Sequence, residues 1–192
     1  MAERILLRQG FAETTMQRVA EQAGASKETL YRHFLSKDNL VIEIVLARTE
    51  ELRATLDANF DSGAGLPDVL RDLGLNLLRA MSGPEVIALL RIVVTETVSN
   101  PALGMALFTA GPERTSRRLT DYLKAAERDG AFTGGDPALA ASLFIGAVMG
   151  NETVVNLLRP PERPMTAERI AARVEEAVAL FLSRYAPSPP GR

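Results

Sequence analysis

Residues 14–37, TTMQRVAEQAGASKETLYRHFLSK, decide the fold. They read as two short helices joined by a tight turn. Thr14 and Gln17 form a Thr-x-x-Gln capping box, which satisfies orphan backbone N–H groups at the start of the first helix. Val19, Ala20 and Ala23 give that helix an apolar face. Gly24 then suits the left-handed conformation that ends a helix and reverses the chain. Ser26 caps a second helix, Lys27 to Phe34, in which Leu30 and Phe34 share one face and pack inward. Lys27, Thr29, Tyr31, Arg32 and His33 are left for the outer surface. Two helices at this spacing, the second carrying outward donors, predict a helix-turn-helix whose second helix enters a DNA major groove.

Working outward, the run Gly10-Phe11-x-x-Thr14-Thr15-Met16-x-x-Val19-Ala20-x-x-Ala23-Gly24-Ala25-Ser26-Lys27-x-Thr29-Leu30-Tyr31-x-His33-Phe34-x-Ser36-Lys37-x-x-Leu40 resembles the DNA-binding domain of the TetR/AcrR family of transcriptional regulators. The resemblance covers about the first quarter of the chain. Geometry assigns roles within it. Thr15 and Lys37 sit at helix N-termini, where side chain and backbone N–H together hold phosphates. Lys27, Thr29 and Arg32 are the candidates for base edges, where a cation on guanine contributes about 1–3 kcal/mol of discrimination. Tyr31 and His33 are phosphate or sugar contacts, a role the resemblance also implies, and Ser26 belongs to the same set at the head of the helix. Taken singly, each is an ordinary polar residue on a helix face; the set in this frame points to DNA. Glu28 departs from the small residue, often glycine, that the family places there. It either repels phosphate or accepts from a cytosine amino group.

Charge adds little to this. The 192 residues carry a formal net charge of −2. Residues 1–50 hold Arg4, Arg8, Arg18, Lys27, Arg32, Lys37 and Arg48 against Glu3, Glu13, Glu21, Glu28, Asp38, Glu43 and Glu50, an even balance. A field that attracts DNA must come from local placement of Lys27, Arg32 and Lys37. There is no cysteine, which excludes disulfides, thiolate metal sites and cysteine nucleophiles. The only histidine is His33. No P-loop, dinucleotide glycine fingerprint or paired-histidine motif is present, so no enzyme, cofactor or metal site is expected. The opening MAERILLRQGF lacks the pattern of a signal peptide. The uncharged run Pro137 to Asn151 is 15 residues, too short to span a bilayer. A cytoplasmic protein with no membrane segment is expected.

The rest of the chain reads as helices with no credible period-2 strand, an all-α protein. Met1 to Gln9 is helical in pattern with Gly10 as its stop; the resembled family begins this helix several residues earlier. Ser36 caps a long amphipathic helix to about Asn59, with Leu40, Ile44, Val45, Leu52 and Leu56 as its stripe. Further helices are predicted over Leu66–Met81, Pro84–Val98, Ala102–Thr109, Glu113–Asp129, Pro137 to about Leu158, and from a Thr166 cap to Tyr185. Gly111-Pro112 reads as a break, and Arg159 to Pro164 as a proline-rich linker. The helix from Pro137 has no charge on any face up to Asn151 and is expected to be buried nearly all round.

The resemblance implies the remaining organisation. It implies an N-terminal three-helix helix-turn-helix DNA-binding domain (residues 1–47), a larger helical ligand-binding and dimerisation domain (48–186) and a disordered tail (187–192). It also implies a regulator, most often a repressor, that binds a palindromic double-stranded DNA operator as a homodimer and is released by a small apolar or amphipathic effector. The last two long helices pair with their mates in that family, which makes Ala140, Leu143, Gly146, Ala147, Gly150, Val174, Val178 and Phe181 candidates for the dimer interface. The middle helices hold the effector, for which Met81, Leu89, Ile92, Glu96, Met105, Phe108, Phe144 and Met149 are candidate lining. Two other classes stay open on the residues alone. One is a helical ligand-binding or scaffold protein whose helix-turn-helix reads no specific DNA, the other an enzyme.

Overall fold

The computed structural model describes residues 1–159 and 165–187. Among them every regular element is a helix: α1 (Ala2–Glu13), α2 (Met16–Ala23), α3 (Lys27–His33), α4 (Lys37–Phe60), α5 (Leu66–Met81), α6 (Pro84–Glu96), α7 (Pro101–Phe108), α8 (Arg114–Arg128), α9 (Pro137–Met149), α10 (Glu152–Leu158) and α11 (Ala167–Tyr185). The all-α expectation is met. The expected linker and tail fall largely on residues 160–164 and 188–192, outside the described residues.

Three local expectations are corrected. The cap of α2 is Thr15, whose hydroxyl accepts from Arg18 N, while Thr14 is buried and donates to the Gly10 carbonyl at 2.7 Å. The two adjacent threonines compete for one role, and the burial of Thr14 decides it. Gly111-Pro112 does not break the chain, because a wide π turn over Thr109–Glu113, with Pro112 inside it, carries α7 into α8. The single helix expected from Pro137 is two, α9 and α10, bent by 47°. Gly150 makes the break, with φ 52° and ψ −135°, a backbone conformation that side chains rarely adopt. Among the described residues no single helix is long and apolar enough to cross a membrane; only the bent pair α9–α10 reaches that length and composition.

The chain forms two compact units, Met1–Glu51 with Pro84–Gly111, and Leu52–Gly83 with Pro112–Arg192. The first thus holds the helix-turn-helix together with α6 and α7, and α4 contributes to both. Within the first unit, consecutive residues of one helix face different cores. Ile5 and Leu40 join Met16, Val19, Ala20 and Leu30 in the core of the helix-turn-helix. Their neighbours Leu6 and Val41, with Val45, join Leu89, Val93 and Leu103 of α6 and α7 in a second core. Helices α1 and α4 are therefore walls shared by the two cores. Arg48 of α4 ties the same three helices at their edge, pairing with Glu3 of α1, Glu51 of α4 and Glu85 of α6.

The second unit is built around α5, α8, α9 and α11. Leu70, Leu73, Leu119, Leu123, Phe144, Val148, Val174 and Phe181 are fully or nearly fully buried there. Gly74 lets α5 lie close on α11, since a Cβ at that position would meet Val174 Cγ1 at 2.9 Å. Phe132, Phe144, Phe181 and Tyr185 close one end as an aromatic cluster, with Phe144 edge-on to Phe181 at 5.6 Å between centroids. Asp57, near the end of α4, accepts from Arg53 at 2.7 Å and from Arg118 at 3.0 Å. Burial pushes the Asp57 carboxyl up, but these hydrogen bonds and the nearby Arg114 charge outweigh it and hold the group below its ordinary value.

Candidate nucleic-acid interface

The turn between α2 and α3 is made by two local devices. Gly24, at φ 65° and ψ 25°, ends α2 in the left-handed conformation and returns its N–H to the Ala20 and Glu21 carbonyls. Two residues on, Ser26 Oγ accepts from Thr29 N at 3.0 Å and starts α3. Leu30 is buried in the core of the helix-turn-helix and Phe34 packs against it. The opposite side of α3 is thereby turned to solvent.

That side carries most of the residues expected there. Lys27, Glu28, Tyr31, Arg32 and His33 are exposed, and Thr29 is half-buried. The Lys27 ammonium lies 5.8 Å from the centroid of the Tyr31 ring, a distance at which a cation is attracted to the ring face. The Thr29 hydroxyl is 2.8 Å from Ser26 Oγ, so Thr29 is engaged in the cap as well as facing outward. Thr15 is exposed at the N-terminus of α2. Lys37 begins α4, but its ammonium donates to the Phe11 carbonyl at 2.9 Å and lies 3.9 Å from the centroid of the Phe11 ring. The side chain expected on a phosphate therefore fastens α4 to the end of α1. Phe11 gave no sign of this pairing, because the two residues stand 26 apart in sequence. Arg18 closes the other side of the head, donating to Gln9 Oε1 at 3.1 Å and to the Glu13 carbonyl at 3.3 Å.

The candidates for the dimer interface divide sharply. Ala140 and Val174 are 0% exposed, Val178 3% and Phe181 5%. They form the core of their own chain and leave no surface for a partner, which corrects that part of the expectation. Leu143, Gly146, Ala147 and Gly150 are exposed. The expectation that the helix from Pro137 is buried all round is corrected with them: Leu139 is 56% and Leu143 54% exposed, and Leu180 of α11 is 64% exposed. A Cβ at Gly146 would meet nothing within 4 Å.

The candidate effector residues divide between the units. In the first, Leu89 is buried in the core beside α1 and α4, Ile92 packs against it, Glu96 is half-buried, and Met105 and Phe108 of α7 are exposed. In the second, Phe144 is a buried core residue, Met149 packs on that core, and Met81 is half-buried. Leu89 and Phe144 each pack within a core of their own chain.

Comparison with known proteins places this architecture. Residues 1–44 match the family model of bacterial regulatory proteins of the tetR family, and residues 68–187 match that of the AefR-like transcriptional repressor C-terminal domain. The HTH-type transcriptional regulator TcmR of Streptomyces glaucescens is 32% identical over 125 residues, which span 64% of this chain and 49% of TcmR. The chain therefore covers about half the length of that relative. Among solved structures, a protein described as a TetR-family transcriptional regulator from Mesorhizobium loti MAFF303099 superimposes with a TM-score of 0.88 at 25% identity, over 97% of this chain and 93% of that one. The flavonoid-responsive regulator FrrA gives a TM-score of 0.77 at 31% identity, over 98% and 94%. With a helix-turn-helix at one end and a matched regulator domain over most of the remainder, the chain belongs to the TetR family of transcriptional regulators and is not an enzyme.

Proposed function

We propose that this regulator is a repressor, working in the cytoplasm, that binds an inverted-repeat operator as a homodimer and leaves it when a small apolar or amphipathic effector binds. The observation that carries the reading is the outer face of α3, a capped helix anchored by buried Leu30 with its donors in solvent. Residues 1–47 act as the DNA-binding part and 48–186 as the sensing and dimerising part. Thr15 and the N-terminus of α4 hold phosphate, and the α3 side chains lie in the groove.

One seven-residue recognition helix makes few base contacts, so useful affinity needs two heads on two half-sites. The face offered to a second copy is the exposed side of α9 and α11, with Leu139, Leu143, Gly146, Ala147 and Leu180. Apolar residues exposed at helical spacing on one side are what a two-fold bundle buries.

The effector acts by linkage: a ligand that prefers the conformation misfitting the operator lowers DNA affinity by its differential affinity for the two states. Ile92, Glu96, Met105 and Phe108 are the residues proposed to meet it. Helices α6 and α7 share a core with α1 and α4, so a shift of α6 reaches the head through Leu6 and Val41. The response of FrrA makes flavonoids the first compounds for a thermal-shift screen. Selection of duplexes from a random pool at near-physiological salt tests the DNA reading. Enrichment of an inverted repeat supports it, and enrichment of no motif overturns it.

A further inference from the structure

The angular order of residues about α3 follows from its single buried anchor, Leu30. At about 100° per residue, Glu28 and Arg32 stand about 160° from Leu30, one on each side of the opposite pole. Lys27 and Tyr31 lie about 60° and 100° away on one flank, and His33 and Thr29 mirror them on the other. The flank residues already have neighbours within the head. Lys27 lies over Tyr31, Thr29 bonds Ser26, and the His33 ring is 6.4 Å from that of Phe34. Glu28 and Arg32 are both exposed and, among the described residues, make no hydrogen bond, ion pair or ring contact with their side chains. A Glu four residues before an Arg is the favourable order for a helical pair, yet the two charges stand unpaired at the pole.

A helix docked with its buried side on its own domain turns the opposite pole to the floor of the groove, where base edges lie, and its flanks to the phosphate walls. A carboxylate there is repelled by both strands unless a donor meets it. In the major groove cytosine presents its N4 amino group alone, whereas adenine sets the N7 acceptor beside its amino group. Guanine presents O6 and N7, the pair that arginine reads. Four helical residues rise about 6 Å, close to two base-pair steps of about 3.4 Å.

We propose that Glu28 is a specificity-determining residue that accepts a hydrogen bond from N4 of a cytosine in each half-site. Arg32 reads a guanine roughly two base pairs away. Lys27 and Thr29 then serve the walls of the groove, and Arg32 remains from the three base-edge candidates. The assignment rests on the reading of α3 as the recognition helix and adds which base that helix demands.

Parallel selections from one random duplex pool, at one near-physiological salt, test it with the wild type, Glu28→Ala and Glu28→Gln. The wild type enriches an inverted repeat with a cytosine-specific position in each half-site. Glu28→Ala loses the preference at that position alone, by about tenfold or more. Glu28→Gln moves it to adenine, whose N6 and N7 match a carboxamide. The proposal is overturned if both variants enrich the wild-type repeat unchanged and bind all duplexes more tightly, because Glu28 then only repels phosphate. A wild-type repeat with no cytosine-specific position overturns it as well. A wild-type selection that yields no repeat at all removes the recognition-helix reading itself, and so is distinguished from either.

Discussion

At the scale of single residues, the head depends on a few side chains that settle where backbone polarity goes. Ser26 satisfies the first turn of α3 and orients Thr29. Ser26→Ala is expected to cost about 1 kcal/mol of stability in urea denaturation. DNA affinity should fall by more than that loss alone explains, because α3 frays at the end that enters the groove. Asp57 permits a prediction with a sign. Its folded-state acidity is strengthened by Arg53 and Arg118, so the unfolded chain binds the proton more readily. The resulting stability is complete above the ordinary carboxylate value of about 4 and is lost as pH falls through the lower folded value. The stability gap between the wild type and Asp57→Asn, followed in urea between neutral and acid pH, should therefore close on the acid side. Local signals identified Gly24 and Ser26 correctly, but took Thr14 for the cap that its neighbour Thr15 supplies. A distant partner leaves no local signal, as for Lys37, whose carbonyl acceptor stands 26 residues earlier.

At the scale of elements, some helix bounds were legible from punctuation, but not at Gly111-Pro112, which a π turn crosses, or at Gly150, which breaks a run read as one helix. Leu66–Met81 and the Thr166-capped α11 came out as observed. The face of an element was harder to read. An apolar run states that a surface leaves water, but not whether its own chain or a second copy covers it. That ambiguity misassigned α9, whose Ala140, Phe144 and Val148 turn inward while Leu139, Leu143 and Ala147 do not. The resemblance, which pairs the last two helices with their mates, made Val174, Val178 and Phe181 interface candidates, but they are buried in the core of their own chain. Gly150, one of the interface candidates, has the positive φ that makes it the break between α9 and α10. The open site at Gly146 permits a clean test of the outer face. Gly146→Arg is expected to yield monomers by light scattering with helix content unchanged by circular dichroism, because a Cβ there meets nothing within 4 Å in its own chain. A fully dimeric variant would move the interface elsewhere.

At the scale of the whole molecule, the proposed function requires two heads on one duplex. The even charge balance of residues 1–50 means that attraction to DNA comes from a few placed cations and helix N-termini. Plotted against the logarithm of salt concentration, affinity should therefore fall with a modest slope, roughly 0.9 per phosphate neutralised. Doubling the heads doubles that count, so a monomeric Gly146→Arg variant should show about half the wild-type slope. The central claim, two-fold recognition by a homodimer, is tested most directly by native mass spectrometry of the protein with the enriched duplex. The account predicts two chains on each duplex, with the one-chain complex scarce even when DNA is in excess. A duplex saturated by a single chain would contradict it.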